Sequence, residues 1–184
     1  MVRPIAAIVT AILISRPDMP VEEATRYARV LREEAKEHNF DPYTGVSMIH
    51  HESGWIPDIV SNNGEDYGLG QIRARFIGAC RDDDDPLHAP SAACRAVKQS
   101  LLIAENNLRQ MAELITDHRK LCREKTGSAR FHQWLASYQG RNYPKENRWC
   151  DAGEQTWQVV RYRRWLISEV PKRLQARRKT KQPD

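Results

Sequence analysis

Ile49-His-His-Glu52-Ser-Gly-Trp55 is followed, after five further residues, by Ser61-Asn-Asn-Gly-Glu-Asp-Tyr-Gly-Leu-Gly-Gln-Ile72. The first part places one carboxylate, that of Glu52, where an apolar helix ends. The second part is rich in glycine and polar residues, which is typical of a loop or a short ribbon. The segment therefore predicts a helix and a loop that hold one acidic side chain between them.

The helix that carries Glu52 is predicted to begin at Asp41 and Pro42, because aspartate caps free backbone amides and proline suits the first helical position. Ile49 and Glu52 are three residues apart, so the carboxylate shares the apolar face. Gly54 is predicted to end the helix. Burial at the edge of a core raises the pKa of a carboxyl group and allows it to act as a general acid. The alternative is that Glu52 pairs with a basic neighbour or reaches solvent.

Three segments together resemble the soluble lytic transglycosylase domain of the lysozyme superfamily. They are Glu52-Ser53-Gly54-Trp55, then Ser61 with Gly68-Leu69-Gly70-Gln71-Ile72, and later Ala136-Ser-Tyr138-Gln139-Gly140. The last segment departs from the family pattern, since glutamine replaces the usual asparagine and one residue before the glycine is missing. One extra residue also lies between Gly64 and Gly68, as in smaller secretion-associated transglycosylases and animal-type lysozymes. The resemblance spans about residues 20–143.

This resemblance implies a mainly α, lysozyme-like helical domain with at most a short β-ribbon or loop beside a catalytic cleft. It implies an enzyme that cleaves the MurNAc-GlcNAc bond of peptidoglycan and leaves 1,6-anhydro-MurNAc ends. In that family one glutamate, here Glu52, protonates the glycosidic oxygen and then acts as a base on the sugar's own 6-hydroxyl. Tyr138 is implied to position that glutamate.

Further site residues follow from the same motifs. Gln71 and Ser61 are implied to shape the glycan cleft, and Gly68 and Gly70 to let the backbone approach the sugar. Trp55 is predicted to contact substrate because it follows Glu52 closely along the chain. Asp66 resembles a second carboxylate of animal-type lysozymes. If Asp66 faces Glu52, the same bond could be hydrolysed, as in a muramidase. An inactive cell-wall-binding component is a third alternative.

Composition is that of one globular domain, with 184 residues, 40% hydrophobic and 29% charged. The net charge of +5 is concentrated near the C-terminus, where residues 161–184 hold nine Lys or Arg against two acidic residues. Residues 171–184 are therefore predicted to be a flexible basic tail that associates weakly with anionic envelope polymers. A nucleic-acid partner is not expected, because such domains carry their charge on a folded face.

The N-terminal segment 1–19 has two interpretations. Its apolar run after one positive charge resembles a signal peptide, whereas the spacing of Ile5, Ile8 and Ile12 predicts a packed helix. The catalytic domain is then predicted to occupy residues 20–170 and to be monomeric. Helices are predicted at about 20–38, 91–125, 128–138 and 153–173, with a short ribbon between Tyr67 and Ile72.

The cysteines at 80, 94, 122 and 150 allow three pairings, or four free thiols in a cytosolic protein. Pairing of Cys80 with Cys94 and of Cys122 with Cys150 would suit a periplasmic, envelope or secreted protein. The spacing does not match a zinc site. We expect neither a metal nor a cofactor.

Overall fold

The computed structural model describes residues 3–179, with side chains to residue 176. Helices occupy most of this part of the chain, and a two-stranded antiparallel ribbon lies beside them. The helices are α1 (Ile5–Ser15), α2 (Val21–Glu37), α3 (Pro42–Glu52), α4 (Ala92–Leu101), α5 (Ala104–Thr126), α6 (Phe131–Tyr138) and α7 (Glu154–Lys179); the strands are β1 (Asp66–Tyr67) and β2 (Ile72–Arg73). The predicted mainly α fold with a short ribbon is confirmed.

Helix α1 is part of the core, so the structure shows the packed helix of the two N-terminal interpretations. Ile8 and Ile12 are fully buried, and the helix packs against α2, α3 and α7. Residues 1–2 of the predicted N-terminal segment lie outside the described residues. Within the described residues, no helix is long and apolar enough to cross a membrane.

The single helix predicted over residues 91–125 is wrong. The chain forms α4 and α5, which are separated at Leu102 and Ile103. At this break the fully buried amide of Asn107 donates hydrogen bonds to the carbonyl oxygens of Leu101 and Tyr67, and its Oδ1 accepts one from the N–H of Gly70. Asn107 therefore joins α4, α5 and the ribbon at a single point.

The boundary predicted at residue 171 is not the end of a helix. Helix α7 continues through Pro171 to Lys179, so this part of the predicted flexible basic tail is helical. Residues 180–184 lie outside the described residues.

Both disulfides have the pairing considered from the sequence. Cys80 bonds to Cys94, and Cys122 on α5 bonds to Cys150 in the segment before α7. The interpretation as four free thiols is wrong, since no described cysteine is free. Two disulfides favour an oxidising compartment.

Candidate active site

Glu52 is held at the last position of α3 by local structure that the sequence specifies. Asp41 caps the helix through a hydrogen bond from the N–H of Tyr43 at 3.1 Å, as predicted. Gly54, at φ +58°, turns the chain away after the helix and donates its N–H to the carbonyl of Ile49. Glu52 therefore extends from a buried helix into the space beside the ribbon.

The carboxyl group of Glu52 is poorly solvated. Its pKa is raised to about 7, mainly by burial and to a smaller extent by the negative charge of Asp66, while a hydrogen bond from Gln139 acts in the opposite direction. A substantial fraction of Glu52 is therefore protonated near neutral pH, which is the state that a general acid requires.

The carboxyl group of Glu52 opens into a cleft of about 770 Å³. The cleft is lined by side chains from α3, the ribbon, α5, α6 and α7, among them Glu52, Asp66, Gln71, Arg73, Phe76, His118, Tyr138, Gln139 and Gln155. A second cavity of about 410 Å³ adjoins it, because Ile77, Arg81, Leu114 and Asp117 line both. The two cavities therefore lie side by side along α5, with these four side chains between them.

Gln139, which the sequence motif did not single out as a site residue, contacts Glu52 directly. Its Nε2 donates a hydrogen bond to Glu52 Oε1 at 3.4 Å, and its Oε1 accepts one from the hydroxyl of Thr156 at 2.8 Å. Thr156 is fully buried near the start of α7. The replacement of asparagine by glutamine in the Ala136–Gly140 segment was the only signal in the sequence for this residue.

Tyr138 lines the cleft but does not hydrogen-bond Glu52, in contrast to the positioning role that the resemblance implies. Its hydroxyl donates to the carbonyl oxygen of Gly70 at 2.7 Å. Burial, together with the charges of Glu52 and Asp66, raises the pKa of Tyr138 well above its ordinary value. Tyr138 is therefore neutral at physiological pH and holds the ribbon against α6.

Asp66, the candidate second carboxylate, lines the same cleft as Glu52. Both of its oxygens accept hydrogen bonds from the Arg73 guanidinium, at 2.9 and 3.2 Å. Such a two-point ion pair fixes the carboxylate and offsets its charge. Asp66 thus faces the cleft already paired.

The two glycines of the ribbon turn face the protein interior. A Cβ added at Gly68, which has φ +69°, would collide with the Leu101 carbonyl oxygen and the Asn107 amide; one added at Gly70 would lie 2.9 Å from the Tyr138 hydroxyl. Neither glycine is among the residues that line the cleft. The prediction that they let the backbone approach the sugar is therefore wrong. Their lack of a side chain lets the ribbon pack closely against α5 and α6 instead.

Of the remaining predicted site residues, one lines the cleft and two do not. Gln71 lines the cleft, and its side-chain amide donates to the carbonyl oxygen of Gly68 at 3.1 Å. Ser61 does not line the cleft, and its hydroxyl contacts Asn63 within the loop. Trp55 is fully buried with its ring stacked on Tyr27, so the prediction that it contacts substrate is wrong.

His118 is a further residue of the cleft that the sequence reasoning did not identify. Its Nδ1 lies 2.8 Å from the hydroxyl of Ser137, which also accepts a hydrogen bond from Asn142. Burial lowers the pKa of His118 to about 4, so the ring is neutral at physiological pH.

One group of described residues could present ligand atoms to a metal ion. Glu34 and Glu37 on α2, and His38 directly after it, place their ligand atoms within 4.8 Å of one another. None of them lines the cleft, and Glu34 is also near Arg109. The cleft chemistry described above uses carboxyl, amide and hydroxyl groups.

No protein-family model, curated protein or solved structure matches this chain. The functional assignment therefore depends on the geometry of the cleft and on the resemblance of the motifs to the soluble lytic transglycosylase domain.

Proposed function

We propose that the protein is a lytic transglycosylase that cleaves the MurNAc-GlcNAc bond of peptidoglycan. The main support is the burial of Glu52, which raises its pKa to about 7 at the wall of a cleft of about 770 Å³. A protonated carboxyl group there donates its proton to the glycosidic oxygen as the bond to the anomeric carbon breaks. The resulting carboxylate then takes the proton of the sugar's 6-hydroxyl, whose oxygen closes the 1,6-anhydro ring.

The pairing of Asp66 favours this outcome over hydrolysis. A two-carboxylate mechanism needs a second carboxylate that is free to attack the anomeric carbon or to activate water. Both oxygens of Asp66 accept hydrogen bonds from Arg73, and Glu65 also pairs with Arg73 and Arg75. Asp117, the third carboxyl group that lines the cleft, is exposed to solvent, so Glu52 is the buried carboxyl group that can act on the substrate as an acid.

A muramidase that hydrolyses the same bond is the second candidate, because Asp66 lines the cleft that holds Glu52. Analysis of the products formed from purified peptidoglycan separates the two reactions. A transglycosylase gives muropeptides with 1,6-anhydro ends, whereas a muramidase gives reducing ends and incorporates oxygen from water. Products with reducing ends alone would overturn the first proposal in favour of the second.

The role of Glu52 is tested by Glu52→Gln, with Glu33→Gln on the exposed face of α2 as the matched control. We expect Glu52→Gln to lower the rate of lysis at least about 100-fold, the usual contribution of a general acid. The control should leave the rate unchanged. Lysis by Glu52→Gln at the wild-type rate would show that the site assignment is wrong.

The proposed partner is the glycan strand, and the proposed location is the periplasm, cell envelope or exterior, where the disulfides would persist. A non-catalytic wall-binding component is the remaining alternative. It would bind purified peptidoglycan in a pull-down assay and release no soluble fragments. The basic residues at the C-terminus are proposed to add a weak, salt-sensitive affinity for anionic envelope polymers.

A further inference from the structure

The geometry points to a positioning unit for Glu52 made of Gln139 and Thr156: the amide of Gln139, oriented by Thr156, occupies one oxygen of the carboxyl group and leaves the other to carry the transferred proton. Neither residue belongs to the roles implied by the motifs. The catalytic meaning of the unit rests on the proposed function. The donor and acceptor directions within the unit follow from contacts among the described residues and do not depend on the proposed function.

The series of hydrogen bonds begins at the start of α7. The backbone N–H of Gly153 donates to the hydroxyl oxygen of Thr156 at 3.4 Å. Because that oxygen is already an acceptor, the hydroxyl proton is available to Gln139 Oε1 at 2.8 Å. The carbonyl end of the Gln139 amide therefore faces Thr156, and its NH₂ end faces Glu52.

This order determines which oxygen of Glu52 can be protonated. Gln139 Nε2 is a donor only, so the atom it contacts, Glu52 Oε1, must accept. The carbonyl oxygen of a carboxylic acid is a stronger acceptor than its hydroxyl oxygen, so this contact favours the proton on Oε2. The same N–H remains in place after proton transfer and stabilises the carboxylate, which helps Glu52 to change from acid to base.

The other groups around Glu52 do not provide this contact. Tyr138 donates its hydroxyl proton to Gly70, and Asp66 can only accept while it is ionised and paired with Arg73. Among the described residues, the titratable or charged side chains that line the cleft with Glu52 are Asp66, Asp117, His118, Tyr138, Arg73, Arg75 and Arg81. Gln139 is the residue for which a hydrogen bond to Glu52 is observed.

The test is a titration of the Glu52 carboxyl carbon by NMR in Thr156→Val and Thr156→Ser, with the resonance assigned from Glu52→Gln. Valine has the shape of threonine but frees the Gln139 amide to rotate, so the donor to the carboxylate is lost. We expect Thr156→Val to raise the pKa of Glu52 by about 0.5 to 1. Thr156→Ser keeps a hydroxyl and should retain the wild-type pKa.

The matched control is Thr10→Val, which likewise removes a buried threonine hydroxyl; that hydroxyl lies on α1, away from the cleft, and donates to the backbone carbonyl of Ala6. It should leave the pKa of Glu52 unchanged. If Thr156→Val does not fold, Gln139→Leu provides the same test without altering Thr156. An unchanged pKa in the folded variant, or a Thr156→Ser protein that behaves like Thr156→Val, would overturn the proposal.

The kinetic readout separates this inference from the proposed function. With peptidoglycan as substrate, the fall of kcat/KM at high pH should move upward together with the pKa of Glu52, and kcat below that pH should drop about 3- to 10-fold as positioning is lost. If the wild-type protein releases no fragments, the proposed function fails. The NMR titration would still decide whether Thr156 and Gln139 orient Glu52.

Discussion

Two side-chain amides differ in what they bind: Asn107 lies on the core side of the ribbon, and Gln139 lies on its cleft side. Asn107 is fully buried and makes three hydrogen bonds of 2.7–2.8 Å, all to backbone groups. Gln139 is half-buried and makes two, one of them a longer contact to the carboxyl group of Glu52. Asn107 therefore fixes backbone segments, whereas Gln139 contacts a group whose charge must change. Asn107 should therefore mainly affect the stability of the fold, and Gln139 should mainly affect the protonation of Glu52.

The largest effect on stability is expected from Asn107→Leu. Leucine has a similar size but leaves the Gly70 N–H and the carbonyl oxygen of Leu101 buried without partners, and it removes one hydrogen bond from the carbonyl oxygen of Tyr67. We expect a loss of about 4 kcal/mol in the free energy of unfolding, measured by urea denaturation. Gln139→Leu, the matched change on the cleft side, should cost less than about 1 kcal/mol. Equal losses in the two variants would contradict the distinction between the two amides.

A smaller loss is expected when a methyl group is introduced between Asn107 and the ribbon. In Gly68→Ala the new Cβ meets the Leu101 carbonyl oxygen and the Asn107 amide, at a residue whose φ of +69° already disfavours alanine. We expect a cost of about 3 kcal/mol, from strain together with displacement of the buried amide.

Gly127→Ala is the control for Gly68→Ala, because Gly127 has φ +71° and no atom within 4 Å of the added Cβ. It should show the backbone strain alone, about 1 kcal/mol. Thermal or urea unfolding of both variants measures the difference. A Gly68→Ala variant as stable as Gly127→Ala would mean that α5 does not press on the ribbon turn.

The local parts of this arrangement could be predicted from the sequence. Asp41, Pro42 and Gly54 bound α3 through capping and turn chemistry that acts over a few residues, and the apolar spacing placed Glu52 at the end of that helix. The ribbon and the helical fold were likewise predicted, and one of the considered disulfide arrangements was confirmed. These features depend on neighbours along the chain or on a small number of alternatives.

The parts that depend on distant partners could not be predicted. The break between α4 and α5 has no glycine or proline, and Leu101, Ala104 and Leu108 keep their apolar spacing across it. The partners of Asn107 lie up to 40 residues away, and Glu52 lies 87 residues from Gln139. Trp55 was assigned to the substrate because it follows Glu52 closely, yet the left-handed turn after α3 directs it into the core.

Because the pKa of Glu52 is raised, the stability of the protein should depend on pH. Asn107 cannot produce such a dependence, since its side chain does not titrate. The folded-state pKa of about 7 exceeds the ordinary value of 4.5, so the folded protein binds the extra proton between these pH values, and stability falls as pH rises through them. Glu52→Gln removes this loss. We expect it to match the wild type near pH 4 and to be more stable by about 2 kcal/mol at pH 8. Unfolding curves at both pH values, with Glu33→Gln as the control, measure the difference; an equal effect at the two pH values would contradict it.

The smallest effect is expected from Tyr138→Phe, which separates the position of Tyr138 beside Glu52 from a hydrogen bond to it. The variant loses the contact from the hydroxyl to the Gly70 carbonyl oxygen, which should lower the free energy of unfolding by about 1 kcal/mol. Because Gln139, not Tyr138, donates to Glu52, the pKa of Glu52 should stay near its wild-type value in an NMR titration. A rise comparable to that expected for Gln139→Leu would assign Tyr138 the positioning role that the family resemblance implies.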